Sequence, residues 1–396
     1  MIRRLKSGLF CASLALMGCL AGASAALAGP VMTFGPEDQG MLKLEYKGQF
    51  QLLARDDGAS PDGDDSAAEF NFRRNRIALM GAWGKNFGLY VQTEFLEDNN
   101  IGPFAVSDGD NSDFQILDAV ARFRVDERFN VWVGKFKYNF TRENLEACEA
   151  PLTLDRSLLI RAPFVSTRDK GVAVWGDLLD GKFQYRADVM NGRNDSASSP
   201  DSNFRYTARA HVSLLDPETG YGYKGTYLGK KKVLTLGAAY QIEQDIAFAN
   251  VAAQTGAVDY SAWTADLFFE YPVEGVGTFT VSSAYTDYDL DDAYKGADPD
   301  SGTIGLTGEK NGSYVKAGYL LPNLPLQIFG RYEDWSFAEF DGIVDQEVDW
   351  IGGGINYYFR DQDLKLTLEY SAADFDKESA SVEDFNTFIA QLQVIF

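Results

Sequence analysis

The sequence predicts an all-β fold, a transmembrane antiparallel β-barrel of about sixteen strands with one long loop folded into its interior. Three observations predict it. Apolar and polar residues alternate with period two from Leu42 to Phe396, the pattern of strands with one apolar and one polar face. No apolar run after residue 28 approaches the ~20 residues that a membrane-spanning helix needs. The connections are short and long by turns, as in barrels with turns on one side of the membrane and loops on the other. In lipid every backbone N–H and C=O must find a partner within the protein, so a chain without such helices can span only as a closed barrel.

The chain opens with a basic segment, Arg3, Arg4 and Lys6, and an apolar core from Leu9 to Leu20. Ala26-Leu27-Ala28 then gives a small-x-small cleavage signal. Residues 1–28 are expected to be a cleaved signal peptide and residues 29–396 the mature barrel. A second processing reading stays open, because Leu16-Met17-Gly18-Cys19 has the form of a lipoprotein box, although no flexible tether follows it. Either route exports the protein. Cleavage removes three bases and no acid, so the net charge of −22 becomes −25. It also leaves Cys148 as the one cysteine, which excludes an internal disulfide framework and a cysteine-based metal site.

Strand by strand, the alternation runs as follows. Leu42, Leu44, Tyr46, Phe50 and Leu52 are interleaved with Lys43, Glu45, Lys47, Gln49 and Gln51. Ile77, Leu79 and Trp83 oppose Arg74 and Arg76; Leu89, Val91 and Phe95 oppose Gln92 and Glu94. Ala119, Ala121 and Phe123 oppose Asp118, Arg122 and Arg124; Tyr185, Ala187 and Val189 oppose Arg186 and Asp188. Ala208, Ala210 and Val212 oppose Arg205, Arg209 and His211. Later segments, such as Leu267, Phe269 and Tyr271 against Asp266 and Glu270, or Leu364, Leu366 and Leu368 against Lys365 and Glu369, are less basic. Short turns fall at 84–86, 125–128, 322–325 and 360–363, and long loops at 55–69, 98–113, 241–259, 287–310 and 371–384. The connection 215–232 falls on the short side but is long. Aromatic residues gather at strand ends, as in Trp83, Phe87, Phe123, Tyr271, Phe279, Tyr357 and Phe359, where interfacial girdles sit.

Residues 131–170 break the rule. A strand enters, residues 139–166 have no clean period, and a strand resumes near Arg168. A structureless loop of roughly thirty residues is usually functional. Its charge also changes sign. Lys135, Lys137, Arg142, Arg156, Arg161, Arg168 and Lys170 stand against Glu143, Glu146, Glu149, Asp155 and Asp169, seven against five. Folded inward, this loop narrows an anion path. Lys135 and Lys137 share a face with Val131 and Val133, opposite Trp132 and Phe136, and are expected to face the lumen.

Phe70-Asn71-Phe72-Arg73-Arg74-Asn75-Arg76-Ile77-Ala78-Leu79, Ile116-Leu117-Asp118-Ala119 and Val133-Gly134-Lys135-Phe136-Lys137 resemble the phosphate-selective porin O/P family. The layout of most of the mature chain follows that family. The resemblance implies a bacterial outer-membrane porin, a homotrimer, a lumenal arginine ladder and lysines at the constriction. It carries the ladder and constriction roles onto Arg74, Arg76, Lys135 and Lys137. Phe396, ending an alternating segment, looks like the C-terminal signal by which barrel-assembly machinery recognises its clients.

The function expected on these grounds is passive diffusion of small anions, phosphate or polyphosphate, past Arg74, Arg76, Arg122, Arg124, Lys135, Lys137, Arg142, Arg156, Arg161, Arg186, Arg205 and Arg209. Arginine offers a planar fork matched to phosphate oxygens and lysine a point charge, and several moderate sites in a row let an ion enter and still leave. An alternative is a general or cation-leaning porin, because Asp118, Asp188, Glu94 and the acids of the loop are placed to balance the bases. The acidic stretches within 55–69 and 287–300 read as solvated surface loops, or as weak Ca²⁺ or Mg²⁺ bridges to lipopolysaccharide. No cofactor, nucleic-acid patch or nucleotide-binding motif is expected. A barrel enzyme is the reading from another class; it would need His211, the one histidine, with Ser213 as nucleophile.

Overall fold

The computed structural model describes residues 29–60, 65–95, 114–157, 160–193, 199–250, 252–291, 308–340, 342–379 and 382–396. The leader at 1–28, the loop 98–113 and the acidic residues 61–64 and 292–300 lie outside them. The described residues form seventeen strands: β1 (Val31–Phe34), β2 (Gly40–Ala59), β3 (Asp65–Trp83), β4 (Phe87–Phe95), β5 (Phe114–Asp126), β6 (Phe129–Phe136), β7 (Asp169–Leu178), β8 (Phe183–Met190), β9 (Arg205–Ser213), β10 (Val233–Asn250), β11 (Thr255–Val273), β12 (Gly277–Asp289), β13 (Lys310–Leu320), β14 (Leu326–Phe340), β15 (Ile343–Arg360), β16 (Leu364–Phe375) and β17 (Phe385–Ile395). Successive strands from β2 onward pair antiparallel, and β17 pairs with β2, which closes a barrel of sixteen. The short β1 lies on the same edge of β2, in line with β17. Tyr46 N–H donates to the Phe396 carbonyl at 2.7 Å and Leu44 N–H to the Pro30 carbonyl at 3.1 Å, so the two strands meet end to end.

The wall follows from the alternation. On β11 the outward residues are Trp263, Ala265, Leu267, Phe269 and Tyr271, and the residues between them are buried in the lumen. Aromatic rings thus bracket an aliphatic middle over the nine residues 263–271, within the roughly 9–11 residues that a tilted strand needs to cross the bilayer. Trp83, Phe87, Phe123, Phe279 and Phe359 form the exposed aromatic rim at the short-turn end.

Several expected loops are strand. Residues 241–250 and 255–259 belong to β10 and β11, and β2, β3, β12 and β16 each extend into stretches read as loops. The reason is physical. Beyond the apolar band the ladder continues into water, where no lipid demands an apolar outward face, so the alternation that marks a strand fades while the hydrogen bonds persist.

Two connections fill the lumen. The constriction loop, 137–168, carries a short buried helix, α1 (Arg142–Leu145), capped by the Thr141 hydroxyl, which accepts from Asn144 N–H. The second, 214–232, enters from the short-turn end as a strap. The two segments pair: Ala147 N–H donates to the Tyr223 carbonyl at 2.9 Å and Gly225 N–H to the Ala150 carbonyl at 2.9 Å. Gly225 is required there, because a Cβ would lie 2.5 Å from Leu152 N and 2.7 Å from a Glu146 carboxylate oxygen.

Candidate functional site

The constriction loop is held by polar groups from both sides of the barrel. Leu154 N–H donates to Glu369 on β16 at 2.9 Å, the Ser157 hydroxyl to Glu333 on β14 at 2.7 Å, and Asn356 on β15 to the Leu152 carbonyl at 2.9 Å. Lys316 on β13 bonds Glu143, and Lys47 on β2 bonds Glu149 at 2.7 Å. The strap adds a buried, bidentate pair: Arg142 donates to Glu218 at 2.7 and 2.8 Å, with its guanidinium over the Tyr223 and Phe268 rings. Bidentate charge-assisted bonds of this kind fix geometry as well as charge.

The arginines expected to form an open ladder divide into two groups. Arg205 and Arg209 are clamps. Arg205 bonds Glu243 at 2.6 Å and the Pro163 carbonyl at 3.1 Å; Arg209 bonds Asp266 at 2.7 Å and the Phe140 carbonyl at 3.1 Å. Both tie the loop to the wall. Arg186 does the same for the strap, donating to the Tyr221 carbonyl at 2.6 Å. Arg76 is matched by Glu94 at 2.6 Å. The Arg161 carbonyl accepts from Lys310 at 2.8 Å. Arg124 stands at the short-turn rim, 3.5 Å from Glu127, with its side chain about half exposed.

The second group lies where the loop meets β2 and β3. Arg73 and Arg74 both reach Asp155, at 2.7 and 2.8 Å. Period two would send Arg73 to the lipid; a bulge opposite Gln49 and Phe50 turns it inward beside its neighbour. Burial alone would raise the Asp155 carboxyl, but Arg73, Arg74 and Arg156 hold it well below the usual carboxylate range. Arg74, Arg76, Lys137 and Arg156 surround the buried Cys148; burial opposes its ionisation, yet these cations hold the thiol well below its ordinary value. Lys137 donates to the Glu146 carbonyl at 2.6 Å and lies 3.6 Å from the Cys148 sulfur. Burial pushes its ammonium down to about 7, with Arg156 and Arg168 acting the same way and Cys148 opposing. Burial and the Glu143 carboxylate push Glu146 up to about 8. Arg156 is buried, and its Nε and Nη1 have no hydrogen-bond partner among the described residues; the same holds for Lys365 Nζ on β16.

Lys135 is not in this group, which corrects the sequence expectation. It does share a face with Val131 and Val133, but that face is the outer one. Val133 is exposed, and Lys135 pairs across β5 with the exposed Ala119, its ammonium 2.9 Å from the Ile116 carbonyl. Trp132 and Phe136 point inward instead. Trp132 stacks on Tyr221 of the strap, ring centroids 3.7 Å apart, and Phe136 packs edge-on against both. Without knowledge of the strap, inward aromatics on this strand read as lipid-facing. Gly134 carries a φ of +131°, and a Cβ there would strike the Ala119 carbonyl.

Sequence reasoning also left Lys316, Lys365 and the strap out of the site. The unusual length of 215–232 on the short side was the available signal. His211 and Ser213 do not form a nucleophile–base pair: His211 Nδ1 bonds the Tyr223 hydroxyl at 2.7 Å, and the Ser213 hydroxyl lies 3.2 Å from that of Thr235.

A family model described as phosphate-selective porin O and P matches residues 44–396. No curated protein matches the chain. Solved porin-like barrels share its fold. The outer-membrane channel DcaP of Acinetobacter baumannii is 16% identical, with a TM-score of 0.57 over 93% of this chain and 100% of that one. An anion-selective porin from Comamonas acidovorans is 12% identical, with a TM-score of 0.55 over 90% and 100%. Salmonella typhi OmpF, in complex with daunomycin, is 13% identical, with a TM-score of 0.61 over 92% and 100%.

Proposed function

As a member of the phosphate-selective porin O and P family, to which it belongs across residues 44–396, the chain is an outer-membrane channel for diffusing solutes, and we propose that it prefers small anions. One observation carries the reading: Lys137 and Arg156, inside the constriction, have no carboxylate hydrogen-bonded to them, whereas the carboxylates nearby are matched. Asp155 is held by Arg73 and Arg74 and Glu149 by Lys47, and burial keeps Glu146 protonated near neutral pH. Even with the Cys148 sulfur counted as an anion, Lys47, Arg73, Arg74, Arg76, Lys137 and Arg156 stand against Glu94, Glu149, Asp155 and Cys148, so the surplus along the path is positive although the chain is acidic overall. Cations in a space shielded from bulk water hold an anion better than the same cations on an open surface.

Phosphate is the preferred solute in this proposal, since Arg156 presents a guanidinium fork. The proposal also includes the homotrimer implied by family membership. A second reading has its own observation: Arg76, Arg205 and Arg209 are each matched by a carboxylate, so a near-neutral lumen and a general porin fit that part of the wall. The reversal potential of the purified channel in a planar bilayer under a salt gradient separates them. An anion-side potential, with chloride current blocked by added phosphate, supports the proposal; a zero or cation-side potential rejects it.

A further inference from the structure

A second cavity lies away from the constriction, at the short-turn mouth. It has a volume of about 670 Å³ and is bounded by the wall residues Arg122, Asn130, Trp132 and Trp175, by the turn residue Asp180 and by Gly220 of the strap. That volume falls within the range of small-molecule sites. The strap closes one side of it, because Tyr221, next to Gly220, stacks on Trp132 and meets Trp175 edge-on with centroids 5.8 Å apart.

Arg122 is the cation of this chamber that aromatic rings hold in place. Its guanidinium carbon lies 4.3 Å from the centre of the Trp132 ring and 4.8 Å from that of Tyr90, so the plane is held by aromatic faces. Its Nε is enclosed, and its terminal nitrogens make no hydrogen bond to any described residue. Among the arginines on the lumenal wall, Arg76, Arg205 and Arg209 each have a carboxylate and Arg186 has backbone carbonyls. Arg122 has neither. The Trp132 faces are covered by Arg122 and Tyr221, which leaves ring edges toward the cavity; a preorganised fork with two free donors beside such edges takes a carboxylate through its oxygens and a flat body edge-to-face.

The remaining charges choose among anions. Glu127, Asp177 and Asp180 line the same chamber as Lys85, Arg122 and Arg124, three acids against three bases, and Arg124 is already engaged with Glu127. A dianionic phosphate would bring two charges to a lining that is neutral in sum, with the Arg122 fork as its one preorganised donor. A monocarboxylate carries half that charge, and its apolar body gains contact with Trp132 and Trp175.

We propose that the short-turn chamber is a binding station for small monocarboxylates with a flat, apolar body, held by the Arg122 fork against Trp132 and Trp175. The station is separate from the anion path at Lys137 and Arg156 and does not depend on the selectivity assigned to it.

Calorimetric titration of the full-length, detergent-solubilised protein tests the proposal with benzoate, acetate and inorganic phosphate as probes. Benzoate should bind saturably, and acetate and phosphate at least about tenfold more weakly. Arg122→Gln should weaken benzoate by about tenfold or more, the usual worth of a hydrogen bond to a charged group. Arg122→Lys, which keeps the charge and the packing stem but loses the fork, should fall between. Lys137→Glu, which alters the constriction, should bind benzoate as the wild type does even where it changes the reversal potential, so the two readings fail separately. Benzoate binding no tighter than acetate, phosphate binding more tightly than benzoate, or an Arg122→Gln protein that keeps wild-type affinity would each overturn the proposal.

Discussion

Lys137→Glu is the perturbation that most sharply divides the two lysines of the entering strand. Lys137 Nζ sits 3.6 Å from the Cys148 sulfur and 2.6 Å from the Glu146 carbonyl, so a passing anion approaches it to about 4 Å. At that distance one charge pair is worth about 1 kcal/mol in bulk water and about 4 kcal/mol at an effective dielectric constant of 20. Charge reversal changes the interaction by two units, from about 2 kcal/mol at the lower limit to about 8 at the upper. The lower limit alone is about thirtyfold in anion permeability at that point. The assay is the bilayer reversal potential under a salt gradient at about pH 6, where the Lys137 ammonium, held near 7 by burial, is charged. The potential should move from the anion side toward the cation side. Lys135→Glu, on the outer face, should leave it in place. If Lys137→Glu keeps the wild-type potential, or if Lys135→Glu shifts it equally, the inward and outward assignments are wrong.

Three other perturbations have defined outcomes. Because Lys137 is pushed down to about 7 and Glu146 up to about 8, Lys137 is charged and Glu146 neutral below those values, and the reverse holds above them. The constriction therefore loses two units of positive charge between about pH 6 and pH 9; anion selectivity measured across that range should fall, and Glu146→Gln should flatten its upper half. Glu218→Gln leaves the buried Arg142 unmatched, at a cost of about 3–5 kcal/mol; hydrogen exchange at 137–168 and 214–232 should rise and single-channel conductance increase while the barrel ladder stays protected. Unchanged exchange would show that the pair does not latch loop to strap. Deleting Phe396, which exchanges two backbone hydrogen bonds with Tyr46, should lower the yield of assembled, heat-modifiable protein, and normal assembly would count against its role as an insertion signal.

The barrel was legible because lipid imposes a strict rule on every spanning residue. Leu267, Phe269 and Tyr271 have to be apolar outside while Thr264, Asp266 and Glu270 line the lumen. Where lipid ends the rule lapses, and residues 255–259 of the same strand read as loop. Arg74, Arg76, Arg122, Arg186, Arg205 and Arg209 were placed on the lumenal face by the same alternation, and the structure puts them there. Their partners were not legible, since pairing depends on tertiary proximity. Glu218 lies 76 residues from Arg142. Arg73 was hidden by a bulge, and Lys135 by aromatic residues that pack on a strap. In each case a long-range contact overrode a local period.

If anions pass by Lys137 and Arg156, where positive charge is in surplus, anomalous diffraction from crystals of the protein equilibrated in bromide shows it directly. Bromide should lie in contact with the Arg156 guanidinium and the Lys137 ammonium, and none beside the ion-paired Arg205 and Arg209. Bromide confined to the outer surface, or found at Arg205 and Arg209 while Lys137 and Arg156 hold none, would contradict that route.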